Sequence, residues 1–285
     1  MRLANLDGRA TVLIDETTGV DVATASDGRF GPALSAVYGA WEEFRAWAAE
    51  PAVIDAAPRV AIAREQLGCP SPAPRQVFAI GLNYGAHATE AAIEPSDGMP
   101  PVFCKWQSSL AGPETTVVLP PGGNTDWEVE LVVVVGRKAS DIDTDEAWDV
   151  VAGLSVGQDI TERLAQMAGP VPQFGLAKSF PGFSPIGPWL VTIDELSDPD
   201  DLELGCSLDG ETMQLGRTKD LIYSVPRLLA NLSQKVELYP GDVVFTGTPG
   251  GVGLFRSPQR FIQPGEELVS WVEGIGSIRQ SFVAR

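Results

Sequence analysis

Histidine is nearly missing from this chain: 285 residues contain one, His87. Cysteine is scarce too, with Cys69, Cys104 and Cys206. An odd count at spacings that fit no zinc pattern argues against a disulfide framework and a Cys/His zinc site. Reduced thiols in a cytoplasmic protein are the expectation. Positive charge is also short, since 20 Lys and Arg face 38 Asp and Glu, for a formal net charge of −18. That balance argues against nucleic acid and anionic membrane as partners, because both need basic patches. No apolar run approaches the roughly 18–20 residues of a membrane span. The opening Met1-Arg-Leu-Ala-Asn-Leu-Asp7 lacks the apolar core of a signal peptide. Asn231-Leu-Ser233 is a glycosylation sequon with no meaning in a protein that is not secreted.

What is present reads as a globular, loop-rich β protein, with 30 Gly and 23 Pro in a chain that is 44% hydrophobic. Residues 1–70 stand apart as a small N-terminal domain. Short strand-like runs there precede an amphipathic helix near Leu34–Ala49, where Val37, Trp41, Phe44 and Trp47 recur at three- and four-residue steps. The Pro-rich stretch Cys69-Pro-Ser-Pro-Ala-Pro74 marks a linker, and residues 75–285 form the larger domain. Strand patterns dominate it, among them Trp127–Val135, Leu154–Ile160, Trp189–Ile193 and Asp242–Thr246. Asp143 and Glu146 make a capping box that predicts a helix ending at Gly153, and Ser224-Val-Pro226 opens another through Leu232. Strands that outnumber helices without βα alternation argue against a doubly wound sheet.

Three carboxylates carry the chemistry. Glu128 and Glu130 lie two apart in Trp127-Glu-Val-Glu-Leu-Val-Val-Val-Val-Gly136. On a strand they share one face, roughly 7 Å apart, followed on it by Val132 and Val134. Such burial of like charges is costly unless a cation neutralises them. Asp159, in Ser155-Val-Gly-Gln-Asp-Ile160, adds a third oxygen ligand. Three carboxylates without nearby Cys or His point to Mg²⁺, Mn²⁺ or Ca²⁺, with coordination positions left for water or substrate. In Gly81-Leu-Asn-Tyr-Gly-Ala-His-Ala-Thr-Glu90, His87 and Glu90 fall on one helical face, where a carboxylate beside imidazole makes a water-activating pair. A lone histidine can equally be structural. Lys178, in Leu176-Ala-Lys-Ser-Phe180, is either a snorkelling surface residue or a fixed cation for an oxyanion. The loop Gly247-Thr-Pro-Gly-Gly-Val-Gly253 lacks the Gly-Lys-Ser/Thr ending of a phosphate loop; it permits tight turns and close backbone approach to a ligand.

Taken together these motifs resemble the fumarylacetoacetate hydrolase family from about Gln76 to Ser281. The likeness also rests on Gln158-Asp-Ile-Thr-Glu-Arg163, Pro185-Ile-Gly-Pro188, Tyr239-Pro-Gly-Asp-Val-Val-Phe-Thr246 and Gln263-Pro-Gly-Glu266. It implies an α+β fold, mainly β with some α: a mixed β-sandwich roll of that family's C-terminal type, preceded by a small N-terminal α/β domain. It implies a homodimer and a divalent ion, Mg²⁺ or Mn²⁺, held by Glu128, Glu130 and Asp159. His87 and Glu90 match the pair that activates water, and Lys178 the cation beside the metal. Gln166 and Thr248 match substrate-contacting positions, with Tyr84 and Arg163 close to them. Ala86 stands where members often carry Asp, and Gln158 and Leu164 depart from the usual Asn and Asp, which bears on the substrate rather than the metal. The implied reaction is hydrolysis of a carbon–carbon bond in a small anionic 2,4-diketo acid. Decarboxylation or keto–enol isomerisation of a related 2-oxo acid is the alternative, and a non-enzymatic metal-stabilised binding domain is a third reading. The third would need the carboxylates but not His87, Glu90 or Lys178.

Overall fold

The computed structural model describes residues 1–92 and 98–285. Its frame is a twelve-stranded sheet. At its centre Val129–Val135 runs antiparallel to Val151–Gln158 on one side and to Val243–Phe245 on the other. Ser184–Val191 flanks Val151–Gln158, and Val77–Ile80 runs parallel to Val243–Phe245. A second, five-stranded sheet contains Glu114–Leu119, Glu203–Leu208, Glu211–Arg217, Glu267–Val272 and Gly276–Ala284. Among the described residues no helix is long and apolar enough to cross a membrane.

The valine run at the centre is explained by burial on both faces. Leu131, Val133 and Val135 join a cluster with Leu228, Leu229 and Leu232 of the helix Val225–Ser233. Val132 and Val134 point the other way, into a cluster with Val37, Trp41 and Phe44. The glutamates belong to this second face, one step beyond the valines.

The N-terminal segment is built into the large sheet. Arg2–Leu6 pairs with Ser184–Val191, placing Arg2 opposite Val191 and Leu3 opposite Leu190. Arg9–Leu13, Thr18–Asp21 and Arg59–Ala61 extend the sheet outward from there. The helix expected near Leu34–Ala49 is two helices, Leu34–Gly39 and Trp41–Ala48, with Ala40 out of helical geometry between them (φ −131°, ψ 38°). Both halves keep the apolar face read from the sequence.

Two expectations are corrected. The capping box at Asp143 and Glu146 forms, yet only 3₁₀ turns follow, at Thr144–Glu146 and Trp148–Val150. Gly153 does not end a helix; it lies inside the strand Val151–Gln158, where a Cβ would collide with the Val191 carbonyl. The strand expected at Trp189–Ile193 begins earlier and spans Ser184–Val191, so it carries Pro185 and Pro188. Prolines lack the N–H a ladder uses and mask such a strand in sequence.

The first 70 residues supply Leu3, Leu34, Val37, Trp41 and Phe44 to the core. Each is worth roughly 1.5–3 kcal/mol on burial. Their sum rivals the whole stability of a domain, about 5–15 kcal/mol. Residues 75–285 expressed alone should therefore lose cooperative thermal unfolding by circular dichroism. A sharp transition near the parent Tm would show that they fold independently.

Candidate active site

The register of the central strands assembles the acids. Val129 stands opposite Gln158 and Glu130 opposite Gly157. Asp159 follows the end of its strand, and its N–H donates to the Glu128 carbonyl at 2.9 Å. The Gln158 side-chain oxygen accepts from the Glu128 N–H at 2.8 Å. Glu128, Glu130 and Asp159 are all buried, with one carboxylate oxygen of each lying within 4.8 Å of the others.

Two of these acids are neutralised by the chain itself. Lys178 Nζ reaches Glu128 Oε2 at 2.7 Å and Asp159 Oδ2 at 2.6 Å. It is 3% exposed, which decides between a snorkelling lysine and a fixed cation in favour of the latter. Arg163 donates to Glu128 Oε1 at 2.7 Å, to Asp126 Oδ2 at 2.8 Å and to Gln166 Oε1 at 3.2 Å. Lys105 pairs with the remaining Asp159 oxygen and donates to the Phe183 carbonyl at 3.0 Å. Burial would push Glu128 up, but Lys178 and Arg163 outweigh it and hold the carboxyl down at about 2. For Lys178, burial opposes the charge, while Asp159 and Glu128 raise its pKa overall. Burial prevails at Lys105, whose pKa is lowered despite Asp159.

Glu130 differs. Among the described residues its carboxylate makes no ion pair, and it accepts from the Gly247 N–H at 2.6 Å. Burial first, then the charges of Asp159 and Glu128, push its pKa well above the usual glutamate range. A buried carboxylate without a cation, beside two others, suits a hard divalent ion of the Mg²⁺ or Mn²⁺ type. Gly247 holds that place because its φ is +103° and a Cβ would strike Asn83.

His87 and Glu90 lie on the short helix Gly85–Glu90. His87 Nδ1 is 3.6 Å from Glu90 Oε2: near enough for charge attraction, too long for a hydrogen bond. Catalytic hydrogen bonds are often this loose before substrate arrives. Glu90 is tied instead to the glycine loop, its Oε1 accepting from the Gly251 N–H at 2.8 Å. The loop before this helix is strained. Leu82 has φ +54°, a left-handed conformation costing about 1–3 kcal/mol for a bulky residue. Asn83 enforces it by donating to the Tyr223 and Thr246 carbonyls and accepting from the Tyr223 N–H.

A cavity of about 440 Å³ opens onto this cluster, in the usual range for small-molecule sites. Glu128, Lys178, His87, Arg163, Gln166 and Thr248 all line it. The Thr248 hydroxyl is already engaged, donating to the Val129 carbonyl and accepting from Gln214. Tyr84 is not on the cavity surface. It is buried in the core with its phenol unpartnered among the described residues, and burial followed by Glu130 raises its pKa.

Two contributors escaped the sequence reading. Lys105 ends the strand run Val102-Phe-Cys-Lys105, where a terminal lysine reads as solvent-facing. Asp126 looks like a loop acid, yet it is fully buried and clamps Arg163 together with the N–H groups of Gly253 and Leu254.

Residues 76–283 match the fumarylacetoacetate (FAA) hydrolase C-terminal family, and the chain belongs to it. Its α+β fold is the fold of that family's solved structures. A crystal structure from Mycobacterium smegmatis is 54% identical and superimposes with a TM-score of 0.92, covering 100% of this chain and 99% of its own. Maleylpyruvate hydrolase from Sphingobium sp. SYK-6, solved in complex with manganese(II) ion and pyruvate, is 28% identical. Its TM-score is 0.81, and the match covers 100% of this chain and 99% of that one. The human protein oxaloacetate tautomerase FAHD2A, mitochondrial, is 42% identical over 211 residues, which are 74% of this chain and 67% of its own. Members of the family thus include both hydrolases and a tautomerase.

Metal affinity should rise with pH. In the metal-free protein the raised Glu130 pKa adds stability that is complete below the ordinary carboxylate range and lost as pH climbs through the raised value. An ion bound at this triad would displace that proton, so Mn²⁺ affinity by calorimetry should increase up to about tenfold per pH unit in this window. Glu130→Gln should weaken binding and flatten the dependence. A parent protein whose affinity ignores pH would refute the assignment of Glu130.

Proposed function

We propose that this chain is a divalent-metal-dependent hydrolase that cleaves a carbon–carbon bond in a 2,4-diketo acid. The observation carrying the reading is that His87, backed by Glu90, lines one cavity with Glu128 and with Lys178, which bridges Glu128 to Asp159. A Mg²⁺ or Mn²⁺ ion held by Glu128, Glu130 and Asp159 would supply Lewis-acid stabilisation of negative charge at the 2-oxo acid end. The relative solved with manganese(II) and pyruvate supports that placement.

His87 takes a proton from water, and Glu90 steadies the imidazolium that forms. The hydroxide adds to the distal carbonyl carbon, C4. The C3–C4 bond then breaks, releasing a carboxylic acid and leaving the electron pair on the pyruvate enolate. The Lys178 ammonium lies beside the charge that develops there. His87 returns its proton to C3, giving pyruvate. Arg163 and Gln166 orient the head carboxylate, the Gln166 amide nitrogen having no partner among the described residues. Thr248 lines the same cavity.

A second reading is keto–enol tautomerisation of a 2-oxo acid, favoured by the 42% identity to an oxaloacetate tautomerase. It uses the same base to move a proton between C3 and oxygen, and it needs no attacking water.

The enol absorbance of 2,4-diketo acids, followed with and without Mg²⁺ or Mn²⁺, tests both readings when products are identified by NMR. Pyruvate plus a carboxylic acid selects hydrolysis, and interconversion without cleavage selects the tautomerase. His87→Ala should lower kcat by about 10²–10⁴-fold with little change in KM. Cleavage at the parent rate would remove His87 from the role of base.

A further inference from the structure

Resting on the diketo-acid reading, we infer that the group carried on the distal carbonyl is uncharged and apolar, an alkyl or aryl acyl chain rather than a second carboxylate. The cavity has two distinct ends. Its floor is the charged cluster, which takes the 2-oxo acid head. Its walls are Leu82, Phe103, Met167, Phe174, Leu254 and Phe255. Phe103 and Phe174 stack with ring centroids 5.5 Å apart, making one flat side. Phe255 stands 5.9 Å from the His87 ring, on the side of the proposed base. Met167, Phe174 and Phe255 are 64%, 40% and 41% exposed, so apolar surface continues to the mouth.

A second carboxylate would need a cation, and among the described residues these walls carry no Lys or Arg. Among the described residues the basic side chains on the cavity are Arg163 and Lys178, both paired with acids, and His87, which faces Glu90; Lys178 also lies against the inner edge of the wall, 5.2 Å from the Phe103 ring centroid. Arg256, next to Phe255, is turned to the Met213 carbonyl and to Glu211. The remaining Lys and Arg do not line the cavity, and none falls between Ala92 and Gly98. A carboxylate on these walls would lose its water without gaining a partner. An acyl chain would gain burial with each methylene. Leu82 strengthens the case, since the chain sustains a strained backbone there and the side chain it presents is aliphatic.

The experiment compares benzoylpyruvate, acetopyruvate and fumarylpyruvate. With Mn²⁺ present, kcat/KM for benzoylpyruvate should exceed that for acetopyruvate by at least tenfold, and that for fumarylpyruvate by about 100-fold or more. Met167→Arg, at the exposed rim, should narrow the gap between benzoylpyruvate and fumarylpyruvate at least tenfold. Equal or better use of fumarylpyruvate by the parent protein overturns the inference. Calorimetric binding of the same compounds to the Mn²⁺-loaded His87→Ala protein reads the preference without turnover. Tighter binding of fumarylpyruvate there overturns the inference as well. If the parent cleaves none of the three while benzoylpyruvate still binds best, the hydrolase reading fails and the apolar preference stands.

Discussion

Four acids and three bases buried in one cluster, with one acid in excess, set the terms for everything around them. Asp126, Glu128, Glu130 and Asp159 lie with Lys105, Arg163 and Lys178, each at most 6% exposed. Each ion costs several kcal/mol to dehydrate, so the arrangement holds only if nearly every oxygen and proton is met. The surrounding backbone N–H groups do much of that work, Gly247 on Glu130 and Gly253 and Leu254 on Asp126, while the Gln158 side chain accepts from the Glu128 N–H. With every group ionised the cluster would be negative by one charge, which the raised pKa of Glu130 relieves in the metal-free protein. A divalent cation reverses that sign locally, which is how a chain of net charge −18 can receive an anion.

The scaffold confines this tension to one end of a strand. Val129–Val135 is buried on both faces, and helices from opposite ends of the chain cover it. Rigidity there matters because misplacing a charged ligand by an ångström weakens every pairing in the cluster. The apolar cavity wall comes from other elements: the Leu82 loop, the Phe103 strand, the Met167 and Phe174 helices, and the turn at Leu254–Phe255. Shape and chemistry share some of these elements: Arg163 and Gln166 lie with Met167 on the helix Arg163–Met167, and Lys178 follows the helix Phe174–Ala177.

Much of the site was legible because the chemistry forced unusual local patterns. Two glutamates in a valine strand are visible without any structure, as are His87 and Glu90 three residues apart. Lys178 was undecided from sequence, since the burial that makes it a fixed cation depends on distant segments. Lys105 and Asp126 carried no local signal at all; both depend on pairings with residues 37 to 54 positions away. The same limit applied to the fold. Period-two and period-three-to-four patterns marked most elements, whereas Pro185 and Pro188 hid the start of a strand. The capping box named a helix start that the following residues did not continue. The joining of the first strand to the large sheet is a long-range contact, and a Pro-rich linker gives no hint of it.

That first strand has a consequence for how the protein is made. Arg2 pairs with Val191, so the sheet cannot accept its N-terminal strands until nearly 190 further residues have left the ribosome. At about 5–20 residues per second this is a wait of roughly 10–40 s. Through that interval Trp41 and Phe44 have no completed sheet to cover, and this segment waits for a partner strand made much later. Completion of the fold is thus tied to synthesis of the strand Ser184–Val191.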